Sequence, residues 1–238
     1  VTALYEDRQG WLWIGTWGSG LDRMDRARGT FVHIRGNNGD PSTLSSNIIQ
    51  AVTEDPRGNL WIGTENGLNR MDPATRKVTR FRHDPASPDS LSDNRVQSGA
   101  LCFDRAGALW VGTWRGLNRM DPATGRCARY LRNPADPRSL GDSRVTAVTE
   151  TSDGRIWVGT YGGGLHLLGP DRRSFLRYTQ ADGLPSDVVY SIQEDLDGRL
   201  WLSTNSGLSR FDPQSGRFRN FDVTDGLQSN QFFWGASD

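Results

Sequence analysis

The chain has 238 residues, and 28 basic side chains balance 28 acidic ones, so its formal net charge is zero. Binding to nucleic acid or to an anionic membrane surface depends on an excess of Lys and Arg, so this balance argues against both classes. No apolar run approaches the roughly 20 residues that a membrane-spanning helix needs, and the first residues carry no signal-peptide pattern. We therefore expect a soluble segment, most simply a single domain, with no direct membrane contact.

A tryptophan motif recurs five times along the chain. It reads Leu-Trp-Ile-Gly-Thr at 12–16 and 60–64, and close variants stand at 109–113, 156–160 and 200–204. A glycine lies three positions before each tryptophan, and a Gly-Leu pair follows it by six or seven. Five matches in register establish an internal repeat of about 45 to 50 residues. The tryptophans are Trp13, Trp61, Trp110, Trp157 and Trp201.

Each repeat is predicted to form four short strands. In the second repeat, β-rich runs at 48–53, 60–64, 67–71 and 78–82 are separated by short turns, such as Asp-Pro-Arg-Gly at 55–58. No stretch has a helical period. The repeats span approximately 1–46, 47–93, 94–143, 144–186 and 187–230, and residues 231–238 resemble the first strand of a further unit.

Four strands in a repeat of this length are typical of a β-propeller blade. We therefore predict an all-β fold, a single partial β-propeller domain over 1–238 with about five blades of four-stranded antiparallel sheet. The tryptophans would fill the gaps between blades, each burying about 150–250 Å². The surplus strand favours an incomplete arc over a closed ring of five. Cys102 and Cys127 fall on opposite edge strands of one blade, about 14 Å apart, too far for a disulfide.

The unit at 43–75 resembles the two-component regulator propeller repeat. The stretches at 83–94 and 133–143 are similar to linkers of that family, and 225–232 resembles the phrase that ends its propeller series. Two departures stand out: Ser203 replaces the motif glycine, and Leu-Leu-Gly-Pro-Asp at 167–171 replaces Arg-Met-Asp-Pro.

The resemblance implies the periplasmic sensor region of a receptor. Such regions usually have two seven-bladed propellers and a small β-sandwich, followed by a membrane span and a cytoplasmic output. The output is commonly a histidine kinase, often a hybrid with a receiver domain, and in other members a diguanylate cyclase. On this basis we expect an arc of a seven-bladed propeller in a homodimeric receptor, whose other blades and output domains belong to the same chain.

The residue pattern does not indicate catalysis. Titratable groups recur at equivalent positions, which points to folding: the Asp of each Glu-Asp pair at 6–7, 54–55 and 194–195 precedes a turn, where it can satisfy turn amides. His33, His83 and His166 show no metal-ligand spacing, and the glycines at 162–164 lie in a strand-to-strand turn rather than before a helix. We expect no catalytic residue, metal or cofactor, and a segment that is not an enzyme.

Ligand binding is predicted at the turns between second and third strands. In an up-and-down blade these turns share a face with the connection to the next blade, and here they differ most between repeats. Exposed rings at one equivalent position would stack on a sugar, with polar neighbours reaching its hydroxyls, although the rings could instead cover the turn edges. The candidates are Trp17, Trp114 and Tyr161, with Glu65, Arg115 and Asn205.

Three hypotheses follow. The leading one is an extracellular sensor module that binds an oligosaccharide or another small ligand, since signals of the best-known gut bacterial relatives resemble polysaccharide breakdown products. The second is a spacer or dimerisation propeller with no ligand of its own. The third, a propeller lyase or glycosidase, is disfavoured because the chain has no singly placed carboxylate or histidine.

Overall fold

The structure, a computed structural model, describes residues 1–37 and 39–232. Five four-stranded antiparallel sheets, here numbered blades 1 to 5, follow one another along the chain. Blade 1 comprises β1 (Ala3–Glu6), β2 (Leu12–Gly15), β3 (Leu21–Asp25) and β4 (Thr30–Ile34). Blade 2 comprises β5 (Ile49–Glu54), β6 (Leu60–Thr64), β7 (Gly67–Met71) and β8 (Val78–Phe81).

The other three blades repeat this plan. Blade 3 comprises β9 (Val96–Phe103), β10 (Leu109–Thr113), β11 (Gly116–Met120) and β12 (Cys127–Tyr130). Blade 4 comprises β13 (Val145–Glu150), β14 (Ile156–Thr160), β15 (Leu165–Leu168) and β16 (Phe175–Tyr178). Blade 5 comprises β17 (Val189–Glu194), β18 (Leu200–Thr204), β19 (Gly207–Asp212) and β20 (Arg217–Phe221). Across 1–37 and 39–232 the only helical segments are two 3₁₀ turns, Gln180–Asp182 and Val223–Asp225. The predicted all-β class and its four-stranded blades are confirmed.

Within every blade the strands pair in chain order, first to second to third to fourth. The first strands of successive blades, β1, β5, β9, β13 and β17, pack side by side and form the inner wall of the arc. The fourth strands lie at the outside. Cys102 on β9 and Cys127 on β12 occupy opposite edges of blade 3, and both are free thiols.

Four hydrophobic clusters fill the gaps between adjacent blades. Trp13 lies between blades 1 and 2, Trp61 between 2 and 3, Trp110 between 3 and 4, and Trp157 between 4 and 5, all essentially buried. Trp201 lies on the open face of blade 5, where it is half-buried and stacks on Phe221 with ring centroids 5.5 Å apart. In the described residues no cluster joins blade 5 to blade 1, so the propeller is an open arc.

The motif glycine allows the blades to approach each other closely. A Cβ on Gly63 would lie 2.5 Å from a methyl carbon of Val96 on the first strand of the next blade. Gly15 and Gly112 are crowded in the same way by Ile49 and Val145. Ser203 stands at this position in blade 5, beyond which the described residues form no further sheet, and its Oγ lies 2.7 Å from that of Ser191 in the same blade.

The Asp before the first turn of blades 1, 2, 3 and 5 holds the tryptophan as well as the turn. In blade 2, one carboxylate oxygen of Asp55 accepts the amides of Arg57 and Asn59, both at 2.9 Å, and the other accepts the indole N–H of Trp61 at 3.1 Å. The same indole-to-carboxylate bond forms in blades 1, 3 and 5, to Asp7, Asp104 and Asp195. Sequence reasoning identified the turn contacts of this Asp but missed its bond to the indole.

A Glu that ends the first strand of blades 2, 4 and 5 joins each of them to the blade before it. Glu54 of blade 2 accepts the backbone amide of Arg8 in the first turn of blade 1 at 3.0 Å. Glu150 accepts that of Arg105 at 2.8 Å, and Glu194 accepts that of Ser152 at 2.6 Å. The Glu-Asp pairs at 54–55 and 194–195 thereby act twice in the framework, once between blades and once within a blade.

The predicted further strand at 231–238 falls mostly outside the described residues. Phe232, the last described residue, donates its amide to the Thr204 carbonyl at 3.3 Å, much as Ile49 at the start of β5 donates to Thr16 at 3.0 Å. Residues 233–238 lie outside the described range. Among the described residues there is no helix with the length and apolar character needed to cross a membrane.

Candidate functional site

The turns between second and third strands share a face with the connections between blades. The Gly67 amide in the turn of blade 2 donates at 2.7 Å to the Asn94 carbonyl, which lies just before the first strand of blade 3. In blade 4, Gly164 makes the equivalent bond to Asp187 at 2.8 Å, and Tyr161 forms a β-bridge with Val188. We call this face of the arc the rim.

Each rim turn is fixed by the threonine and glycine of the repeat. In blade 2, the Thr64 hydroxyl donates to the Gly67 carbonyl at 2.8 Å and accepts the Asn66 amide at 3.0 Å. Gly67 has φ of +113°, and a Cβ there would lie 2.7 Å from the Phe81 carbonyl oxygen, so only glycine fits. The residue after the threonine is left to vary, and it is Trp17, Glu65, Trp114, Tyr161 or Asn205.

The predicted aromatic residues differ in exposure. Trp17 is 68% exposed, whereas Trp114 and Tyr161 are half-buried. The guanidinium of Arg95 lies over the Trp114 ring, 4.5 Å from its centroid, and that of Arg144 lies over the Tyr161 ring at 4.4 Å. The expectation of three exposed rings is therefore wrong for Trp114 and Tyr161, because an arginine from the start of the same blade covers one face of each.

Each of these arginines is paired with a nearby carboxylate. Arg95 lies 3.2 Å from Asp93, and Arg144 lies 3.0 Å from Asp142. The hydrogen bond to Asp142 raises the pKa of Arg144. Arg115, the predicted basic residue of the rim, is largely exposed and lies 3.9 Å from Asp93.

Glu65 and Asn205 contact residues of the inner strands. The side-chain amide of Gln50 on β5 donates to Glu65 at 2.6 Å, and the Ser98 hydroxyl on β9 donates to the Gln50 carbonyl oxygen at 2.8 Å. The Tyr190 hydroxyl on β17 donates to Asn205 at 3.4 Å, and its ring packs edge-on against Tyr161, with centroids 6.3 Å apart. The predicted rim residues are thus linked to the inner wall of the arc.

The six predicted residues form separate groups on the described structure. Glu65 is linked to Gln50 and Ser98. Tyr161 and Asn205 both contact Tyr190. Trp114 and Arg115 lie beside Arg95 and Asp93, and no described contact joins Trp17 to the others. Sequence reasoning missed the inner-strand and arginine members of these groups. The signal was available, since the second residue of β5, β9, β13 and β17 is polar or carries a hydroxyl in every case: Gln50, Gln97, Thr146 and Tyr190.

Other reactive groups lie away from the rim turns or are buried. Burial raises the pKa of the Cys127 thiol to about 12 and also raises that of Cys102. Burial lowers the pKa of His166 to about 4, so this ring is neutral near pH 7. Over the described ranges no three His, Cys, Asp or Glu side chains come together as metal ligands would.

Comparison with solved structures places this fold among bacterial receptor propellers. The chain aligns over 92% of its length with the extracellular domain described as that of the hybrid two component system BT3049 from B. thetaiotaomicron, at 28% sequence identity and a TM-score of 0.78. It spans only 29% of that chain. A comparison with curated proteins gave no match.

More distant structures share the fold alone. The extracellular domain of BT4673 from B. thetaiotaomicron, described as a one component system, aligns over 93% of this chain and 37% of its own at 21% identity, with a TM-score of 0.60. Virginiamycin B lyase from Staphylococcus aureus aligns over 92% of this chain and 69% of its own at 14% identity, with a TM-score of 0.70. The fold therefore occurs in both receptors and enzymes.

The family comparison matches each blade separately. The model of the two component regulator propeller matches residues 1–18, 43–66, 90–115, 139–162 and 183–206. Each segment contains the first and second strands of one blade and reaches its rim turn. The five matches, one in every blade, show that the repeats of this chain belong to the two component regulator propeller family.

Proposed function

We propose that this chain is a ligand-sensing propeller of a bacterial two-component receptor, located in the periplasm. The family matches and the similarity to an extracellular receptor domain support this role. A ligand bound outside the cytoplasm would be relayed to an output domain fused in the same chain, most simply a histidine kinase that starts a phosphorelay. A diguanylate cyclase is the alternative output.

The rim is the proposed site for an oligosaccharide or another small ligand. One observation carries the proposal: the framework of the rim turns is constant, while the residue that follows the threonine takes four identities in five blades and, at Glu65 and Asn205, is hydrogen-bonded to polar residues of the inner wall. Varied side chains on a fixed scaffold are the usual arrangement of a binding surface.

The proposed module is not catalytic. The carboxylates that recur in the sequence are used in the framework, where they bind indoles, turn amides and neighbouring blades. Among the histidines, His166 is wholly buried, and the Nδ1 of His33 lies 2.6 Å from Asp22. The enzymes of similar fold share too few residues with this chain to support an activity here.

The open faces of blades 1 and 5 point to partners. Leu4 and Phe31 on blade 1 are about half exposed, and Trp201 on blade 5 is half-buried, at positions where inner blades are packed. Large exposed apolar surfaces are interaction sites as a rule. We propose that further blades of the same chain cover these faces and that the whole receptor is a homodimer.

Isothermal titration calorimetry of the intact protein with a panel of oligosaccharides tests the proposal. We expect saturable binding that Trp114→Ala and Tyr161→Ala each weaken about tenfold, because an aromatic contact contributes about 1 kcal/mol or more. Lys77→Ala, an exposed substitution in a turn between third and fourth strands, is the control and should leave affinity unchanged. No binding to any oligosaccharide, together with ligand-independent crosslinks between rims, would instead support a dimerisation propeller.

A further inference from the structure

The inner strand of blade 3 is longer than its counterparts. In blade 2, Ile49 pairs with Thr64 and Val52 with Ile62, so two residues lie between the paired positions of β5. In blade 3, the equivalent partners Val96 and Leu101 enclose four residues, Gln97 to Ala100. β9 therefore carries a two-residue insertion, and the exposed Gly99, with φ of +70°, lies within it. We call Gln97–Gly99 the β9 bulge.

On one side, the β9 bulge reaches across to blade 2. The Ser98 hydroxyl donates to Gln50, and the Gln50 amide donates to the rim carboxylate Glu65. Gly99 and Gln50 line a groove of about 270 Å³ along the inner wall, which also contacts Thr2 and Tyr5 of blade 1. The insertion thus connects the inner wall directly to one predicted ligand contact.

On the other side, the β9 bulge faces blades 4 and 5. Gln97 is 2% exposed, and its side-chain nitrogen has no hydrogen-bond partner in the described part of the chain. It lies in a narrow gap with Thr146 and Tyr190, and the Tyr190 hydroxyl in turn contacts Asn205. This gap is too narrow to admit a water molecule, so Gln97 seats the bulge against blades 4 and 5 and does not itself face a ligand.

The charges near the bulge favour a neutral ligand. Arg95 and Arg144 are each paired with an aspartate and lie over an aromatic ring, and exposed Arg115 also lies beside Asp93. Glu65, which faces the same region, would repel an anionic group. The side-chain groups that remain are amides and hydroxyls, which both donate to and accept from the hydroxyls of a sugar.

We propose that the β9 bulge is the specificity-determining element of the rim site and that it selects a neutral oligosaccharide by hydrogen bonds to the sugar hydroxyls. The groove beside Gln50 and Gly99 takes one sugar unit. The inference rests on the proposed function, because it requires that the rim binds a ligand.

Two variants change the β9 bulge while leaving the rest of the blade intact. Deleting Ser98 and Gly99 gives β9 the length of β5, β13 and β17, so the blade should still form. Ser98→Ala keeps the backbone and removes only the bond to Gln50. Circular dichroism and urea unfolding of each variant would verify that the fold is retained, and Lys77→Ala is again the control.

Titration calorimetry of the intact protein with neutral gluco-, xylo- and manno-oligosaccharides, and with oligogalacturonates, gives the decisive result. We expect a neutral oligosaccharide to bind at least about tenfold more tightly than the oligogalacturonates, the deletion to weaken binding about tenfold or more, and Ser98→Ala to weaken it about threefold. If the deletion leaves affinity unchanged while Tyr161→Ala weakens it, the rim site stands and the bulge inference fails. Tighter binding of oligogalacturonates overturns the neutral class, and absence of binding by both classes overturns the bulge inference together with the oligosaccharide as the ligand of the rim.

Discussion

Blades 3 and 4 share one strand plan but hold their tryptophans differently. In blade 3, the Trp110 indole donates to Asp104 at 3.0 Å. In blade 4, Thr151 stands at the Asp position, and the Trp157 indole N–H is buried without a partner in the described structure. The Thr151 hydroxyl donates instead to Asp153 at 2.7 Å. The comparison shows that ring packing and burial hold the tryptophan without the carboxylate bond, and that the Asp adds a bond that blade 4 lacks.

The third strands of blades 3 and 4 show the same difference: the polar side chain of blade 3 has more hydrogen-bond partners than its counterpart in blade 4. In blade 3, the Asn118 carbonyl oxygen accepts the Ser92 amide at 2.8 Å, and its nitrogen donates to Ser92 Oγ and to the Val111 carbonyl, both at 3.0 Å. In blade 4, His166 replaces the asparagine; its Nε2 accepts the Gly141 amide at 2.9 Å, and its Nδ1 has no partner in the described structure. Blade 4 therefore keeps the shape of the repeat with fewer satisfied polar groups.

The largest expected effect is a pH dependence of stability from His166. Its folded pKa of about 4 lies below the ordinary value of 6.5, so the unfolded chain takes up the proton first as pH falls. Stability should therefore be constant above about pH 7 and fall by about 3 kcal/mol between pH 6.5 and 4, since each pKa unit corresponds to 1.36 kcal/mol. The charged groups nearest to the ring are Arg177 and Asp142. Urea unfolding as a function of pH measures the loss.

His166→Asn, which copies blades 2 and 3, should remove most of this slope. Carboxylates whose pKa is lowered in the fold, such as Asp195 with its hydrogen bond from the Arg199 amide, begin to lose their contribution below about pH 5, so the slope between about pH 6.5 and 5 reports His166. An unchanged slope in His166→Asn would show that another group titrates.

A smaller effect is expected when blade 3 is made to resemble blade 4. Asp104→Thr removes the acceptor of the Trp110 indole N–H. It should lower the free energy of unfolding by about 2 kcal/mol, the usual contribution of a hydrogen bond to a charged group. In a protein that already carries Trp110→Phe, Asp104→Thr should lower the free energy of unfolding by clearly less, because no indole N–H is left unsatisfied. Equal costs in both backgrounds, measured by urea unfolding, would show that Asp104 acts on its turn alone.

The reverse change, in blade 4, should give the smallest effect, and it should increase stability. Thr151→Asp supplies the missing acceptor for Trp157 and should stabilise the protein by about 1 kcal/mol, or a few degrees in melting temperature. Thr151→Asp would stand two positions before Asp153. The same turn of blade 5 already holds two carboxylates at this spacing, Asp195 and Asp197, and Asp197 pairs with Arg199 at 2.8 Å. The gain should vanish in a Trp157→Phe background; if it persists there, the indole is not its source.

The repeat made the fold predictable, because tryptophan, glycine and Gly-Leu stand at fixed intervals that match the observed second and third strands. The role of Asp104 was only half visible, since a turn contact is local in sequence whereas the indole bond spans six residues and depends on how the ring packs. The site was predicted less well. Rim turns could be placed from the strand order, but the arginines over Trp114 and Tyr161 and the polar residues Gln50 and Tyr190 reach the rim only through strand pairing in three dimensions.

Each core cluster joins only two adjacent blades, so coupling along the arc runs in one dimension from neighbour to neighbour. In the described arc, blade 1 or blade 5 can detach by exposing one hydrophobic cluster, whereas detachment of a central blade exposes two. Backbone amides of blades 1 and 5 should accordingly exchange with solvent sooner than those of blades 2 to 4. The β9 bulge and Glu65 thus lie in the portion that stays assembled longest while the ends fray.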